Sequence, residues 1–255
     1  MPTLQPALRA FRGTCAWVVS APGTYLWLSV VYVTTSDLYV RLTTDERVDF
    51  LRRRSTNLHN LHAAPLRVLV ASAGWSDGWH LVKFTLLFTV LCAVAERWLG
   101  TWRWLAVAVL GHVGATCVSQ ATVAWRIGTG ALPESARFVV DVGPSYGYMA
   151  VAGLLFHGIA RPWRWLYLPL VGLYLGLPMC AHWDFTSTGH LTAVAIGLSC
   201  HRLTRGRPLW DPGDRWRRAR AWARATGTVE DARPGGVAAG ASGIREEPGG
   251  SSNGR

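Results

Sequence analysis

Apolar residues in this chain come in long unbroken runs rather than in the spaced stripes of a helix with one wet face. Six runs stand out, at 15–36, 78–99, 104–125, 143–160, 165–180 and 188–203. A bilayer core of roughly 30 Å takes about 20 helical residues, so each run predicts a membrane-crossing helix. The last three are short, which a packed bundle tolerates where neighbouring protein shields the backbone. Trp75, Trp79, Trp98, Trp102, Trp104, Trp125, Trp163, Trp165 and Trp183 fall at run ends, where an amphipathic ring favours the headgroup layer. The expected fold class is all-α, a polytopic membrane bundle of six transmembrane helices over 15–205 with a long first loop at 37–77.

Charge sharpens the picture. Only 16% of the residues are charged, against about 25% in a soluble domain, yet the formal net charge is +11. Arg9 and Arg12, Arg97 and Arg103, Arg161 and Arg164, and the arginines from Arg202 to Arg224 mark alternate helix ends. Six crossings put all four groups on one side, so both termini, including segment 1–14, are expected in the cytoplasm. The first loop pulls the other way, with Arg41, Arg47, Arg52, Arg53, Arg54 and Arg67. No nucleic-acid partner is expected, because a basic solvated face is missing from most of the chain. The first run lacks a small-residue cleavage site and reads as a retained helix rather than a leader. Residues 206–226, with Trp210, Trp216 and Trp222 among arginines, read as a basic amphipathic juxtamembrane segment suited to an anionic leaflet. Gly, Ser, Pro and Glu dominate 227–255, which predicts a disordered tail. Cys15, Cys92, Cys117, Cys180 and Cys200 form no C-x-x-C pair and read as packing residues, with no metal site.

Against this apolar background three polar residues are out of place. Ser145, His190 and His80 stand among the first residues of the fourth, sixth and second expected helices. Even-numbered helices run the same way, so parity brings the three side chains to one depth, just below the outer surface. A serine hydroxyl becomes a nucleophile once a base takes its proton, and an imidazole can do so. The resulting oxyanion needs donors. Helix starts supply free N–H groups, here that of Ser145, and His80 can add a side-chain donor. Pro144 can open the fourth helix, where its missing N–H costs nothing. The competing structural reading makes Gly143, Ser145 and Gly147 a small-residue packing face. His112 and His157 read as interhelical hydrogen-bond partners. No acidic partner is assigned to His190, Asp184 included.

These residues carry a family resemblance. GPSYG around Ser145 looks like the Gly-x-Ser-x-Gly of the rhomboid family of intramembrane serine proteases. GHLTAVAIG resembles the sixth-helix pattern, with Gly197 seven residues after His190. His80 and AERWLG keep the second-helix spacing, with Glu96 sixteen residues after His80. Arg67 resembles the arginine of the first-loop Trp-Arg motif, although Leu66 replaces the tryptophan. The resemblance covers roughly residues 51–203 and implies a rhomboid-like six-helix bundle. It implies Ser145 as nucleophile, His190 as general base and acid, and His80 with the Ser145 N–H at the oxyanion. Gly143, Gly147, Glu96, Arg67 and Gly197 would support them. The substrate would be a single-span transmembrane protein cut within the lipid bilayer. No cofactor is implied, and the location would be a bacterial cell membrane, as an integral multi-pass protein.

The departures define the alternative. Phe84 stands where the family usually has asparagine, which removes one oxyanion donor. Lys83 is adjacent, but a helix step of 100° turns it to another face. Ala193 replaces a glycine where the fourth and sixth helices approach. The alternative is a catalytically weak or inactive rhomboid-like protein that binds membrane helices without cutting them. A soluble α/β-hydrolase is tempting only locally, where RFVVDV followed by GPSYG resembles a nucleophile elbow. It would leave six lipid-length runs exposed. A transporter is disfavoured by the lack of an internal repeat and the scarcity of acidic residues within the runs.

Overall fold

The computed structural model describes residues 4–78, 80–181 and 184–231, and these are helical apart from turns, loops and an isolated bridge between Ile159 and Trp210. Trp79, Trp183, the side chain of Cys180 and residues 232–255 of the expected tail lie outside the described residues. Helices α1 (Leu4–Val19) and α2 (Pro22–Arg41) replace the single first helix expected at 15–36. They meet at an angle of 92°. The cause is Pro22 at the start of α2: without an N–H it cannot continue the ladder of α1, and its ring excludes the carbonyl four residues back.

The remaining runs fold close to where they were expected. The second becomes α6 (Leu81–Leu87), a wide π-type turn (Phe88–Cys92) and α7 (Ala93–Leu99). The third is α8 (Thr101–Gly128), the fourth α9 (Ser145–Leu155), the fifth α10 (Arg164–Ala181) and the sixth α11 (Phe185–Ser199). Among the described helices only α8 is long and apolar enough to cross a membrane unaided, and α1 with α2 meets that standard only as a bent pair. The count of six crossings therefore does not follow from helix length. At 11 residues α9 spans only about 17 Å.

The first loop is mostly helical, as α3 (Thr44–Arg54), α4 (Leu58–Ala63) and α5 (Pro65–Ser72). Thr43 and Glu46 cap α3 reciprocally. Some loop arginines are spent on aromatic faces: Arg54 lies 3.5 Å from the Phe50 ring centre and Arg47 4.4 Å from that of Tyr39.

The core is the packing of α8, α9 and α11. Every residue of α9 from Tyr146 to Leu155 is buried, so this helix is enclosed rather than facing lipid. Trp104 corrects the tryptophan rule, since it is only 1% exposed and packs on Trp27 of α2. Trp102, Trp125 and Trp165 are exposed as expected of interface residues. The expected packing histidines do bridge helices. His112 Nε2 donates to Leu69 O, 3.0 Å away, and His157 Nε2 donates to Leu198 O at 2.8 Å.

Glu96 holds the far end of the bundle from His80. Its buried carboxylate accepts from the N–H groups of Gly23 and Thr24 at 2.9 and 2.7 Å and from Thr101 Oγ1 at 2.7 Å. A carboxylate here complements the positive end of α2. Glu96→Ala leaves buried donors without an acceptor and is expected to cost about 3 kcal/mol. Glu96→Gln, which keeps one oxygen, should cost less, and thermal melting in detergent compares the two.

Beyond Asp211 the chain forms a second compact unit containing α12 (Pro212–Asp231). Asp214 pairs with Arg217 and Arg218 there, and Trp216 and Trp222 are exposed.

Candidate active site at the starts of three helices

The loop before α9 sets the position of Ser145. Gly143 has φ +133°, a backbone state that side chains disfavour, and its N–H donates to Ser72 O at 2.9 Å. Pro144 then takes the cap position, with Ser145 the first helical residue. The N–H groups of this first turn have no carbonyl four residues back to pair with. Gly147 keeps α9 close to α2, because a Cβ there would lie 2.6 Å from the Trp27 ring. Serine presentation and small-residue packing are therefore both built into Gly143-Pro-Ser-Tyr-Gly147.

A cavity of about 180 Å³ opens above this turn. Ser145, His190 and His80 all line it, from the first turn of α9, the second turn of α11 and the cap of α6. Ser145 is half-buried, and His80 is exposed with its ring against Gly78. His190 Nε2 is buried and has no hydrogen-bond partner among the described residues. The ring packs edge-to-face on Tyr146, with centroids 5.4 Å apart. Among the described residues no hydrogen bond joins Ser145 to His190.

Phe84 also lines the cavity, and it is buried against Tyr148. Lys83 corrects the reading that sent it to another face: it lines the same cavity, its ammonium 5.8 Å from the Tyr174 ring centre. A long flexible stem reaches past the 100° step that separates it from Phe84. The other supporting residues lie elsewhere. Glu96 serves α2 as described, and Arg67 is exposed on α5. Gly197 joins α11 to α9 about two turns below His190, where a Cβ would stand 1.9 Å from Ala150 O. Ala193 is fully buried beside this contact. Asp184 is engaged as the cap of α11, accepting from Ser187 N at 2.7 Å.

Sequence reasoning missed Asp141, Tyr146, Tyr148 and Thr186. Asp141 is the most consequential, a buried carboxylate on the cavity wall. Its Oδ2 accepts from Gln120 Nε2 at 3.1 Å and from the Tyr146 hydroxyl at 3.5 Å. Its backbone is tied to the first loop, through its N–H to Ser55 Oγ at 2.6 Å and its carbonyl from Thr56 N at 3.0 Å. Burial pushes the Asp141 carboxyl up to about 6, reinforced by the Asp77 charge and opposed by the hydrogen bonds from Gln120, Thr56 and Tyr146. An available signal was the lone acid in VVDVG, since a charge amid apolar residues needs partners.

The raised value has a sign. Below the unfolded value of about 3.8 the buried group costs the fold nothing; the cost grows as pH rises from there and is fully present above about 6. Asp141→Asn has no proton to lose. Its melting temperature relative to wild type should rise by several degrees between about pH 4.5 and pH 8. A constant difference across that range would contradict the burial argument.

A family model described as rhomboid-like protein matches residues 16–209, most of the chain, and the protein belongs to that family. It is accordingly a membrane protein of rhomboid type. No curated protein and no solved structure matches it.

Proposed function

We propose that the protein is an intramembrane serine endopeptidase, cutting a peptide bond in a single-span transmembrane protein. The observation that carries this reading is the shared cavity: Ser145 and His190, far apart in sequence, line one polar pocket at two helix starts together with His80. Ser145 Oγ attacks the scissile carbonyl while His190 takes its proton and returns it to the amine as the C–N bond breaks. Water, deprotonated by His190, then attacks the acyl ester, releasing the carboxylic acid and restoring the Ser145 hydroxyl. The open His190 Nε2 is free to accept that proton. The first-turn N–H groups of α9 and the His80 side chain face the developing oxyanion. The substrate helix unwinds to present its carbonyl, since an intact helix hides it. In this reading six helices cross a bacterial cell membrane, both termini are cytoplasmic, and the cavity opens toward the outer face.

One observation favours a second reading. Phe84 presents carbon where a donor would help the oxyanion, a loss of about 2.7–4 kcal/mol by comparison with known oxyanion holes. A rhomboid-like protein that binds membrane helices without cutting them fits that substitution. A serine-directed fluorophosphonate separates the two readings. Covalent labelling of wild type, lost in Ser145→Ala, supports the peptidase; no labelling of either favours the binder.

A further inference from the structure

Tyr146 sits between two groups that the reaction scheme leaves unconnected. Its ring meets that of His190 in a T-shaped pair, and its hydroxyl lies 3.5 Å from Asp141 Oδ2 and 3.3 Å from Ser119 Oγ. Tyr146, Asp141 and Ser119 are buried and His190 is half-buried, and Gly189 makes room for the tyrosine, because a Cβ there would lie 2.4 Å from the Tyr146 ring. Asp184 caps its own helix, accepting from Ser187 N at 2.7 Å, and among the described residues no carboxylate accepts a hydrogen bond from the imidazole. Among the described residues His190 thus has no hydrogen-bonded acid of the kind that usually orients a catalytic imidazole.

We propose that Asp141 is a positioning residue that orients His190 through Tyr146. The carboxylate, held by Gln120 and anchored to Ser55 and Thr56 through its backbone, fixes the Tyr146 hydroxyl. The fixed ring then sets the plane of the imidazole packed against it. An aromatic pair prefers this edge-to-face geometry, so the ring supplies direction as well as contact. The same chain of contacts ties the first loop to the base, since Ser55 and Thr56 belong to the α3–α4 junction. Tyr146 follows Ser145 directly, so one residue step couples the nucleophile to the orientation of its base.

Titratable neighbours bear on the pH behaviour of this arrangement. Asp77 from the α5–α6 loop, Lys83 and His80 from α6, Asp184 from the start of α11 and His190 itself all face the cavity or act on its groups. The test therefore uses substitutions at fixed pH rather than a titration.

This inference rests on the peptidase reading, and the experiment keeps their failures apart. The full chain, ¹³C-histidine-labelled and purified in detergent, is compared as wild type, Tyr146→Phe, Asp141→Ala and Asp141→Asn. The readouts are the His190 imidazole Cε1–H resonance and kcat and KM on a single-span substrate. Tyr146→Phe keeps the ring and the packing but drops the hydroxyl. It and Asp141→Ala should move the His190 resonance, leave those of His157 and His201 in place, and lower kcat about tenfold with KM within about twofold. Asp141→Asn retains an oxygen for the tyrosine and should keep the wild-type resonance. A His190 resonance and kcat unchanged in Tyr146→Phe would overturn the proposal, even if Asp141→Ala fails to fold. Absence of turnover in wild type would sink the peptidase reading alone, and the resonance would still decide whether Asp141 acts on His190.

Discussion

Ser145→Ala and His190→Ala should each lower cleavage of a transmembrane substrate by about 10⁴-fold or more, and the double variant should be no worse than either. The reason is that hydroxyl and imidazole act on one proton. Once either is gone the other has nothing to accept or activate, so the second loss removes no further stabilisation of the transition state. Additive losses would mean that the two side chains work independently, and the shared cavity would then be coincidental. The substitutions are small in structural terms. Ser145 is half-buried at a helix start, and alanine is tolerated at the first helical position. His190→Gln fills the site more fully than alanine and guards against collapse of the pocket. Gel-based cleavage in liposomes, with melting curves to establish folding, makes the measurement. Equal turnover in all forms would end the peptidase assignment.

The sequence made some of this legible, for definable reasons. Long apolar runs name their own helices, and five of the six runs fold near their expected places, because a backbone surrounded by apolar side chains must pair its polar groups within the segment. The first run failed at Pro22, a break that local chemistry announces and that run-counting overlooked. Ser145, His190 and His80 could be grouped because helix direction alternates, so topology alone assigns them a common end. Lateral packing is a different matter. That Trp104 lies under α2, that Lys83 reaches round its helix, and that Asp141 meets Gln120 and Tyr146 depend on how neighbouring helices turn about their axes. Periodicity gives the face of a helix only when one face is wet. In this chain α9 is buried all round, and its residues carry no such mark.

Gly197→Ala should lose both stability and activity, although it adds one methyl group. The new Cβ would lie 1.9 Å from Ala150 O and 2.9 Å from Leu154 N. Both are backbone atoms, so no side-chain rotation relieves the overlap. Helices α9 and α11 must part by more than about 1 Å to restore ordinary contact, at an expected cost of about 2–3 kcal/mol. The separation acts directly on the candidate site, because Ser145 rides on α9 and His190 on α11. A misplacement of about 1 Å between reacting groups can cost about a hundredfold in rate. Gly172→Ala is the matched control, since nothing lies within 4 Å of a Cβ at that position on α10. It should leave turnover unchanged and hold or slightly raise the melting temperature through its better helix propensity. If Gly197→Ala matches Gly172→Ala in both melting and turnover, close approach of α9 and α11 is not what holds serine and histidine at one cavity.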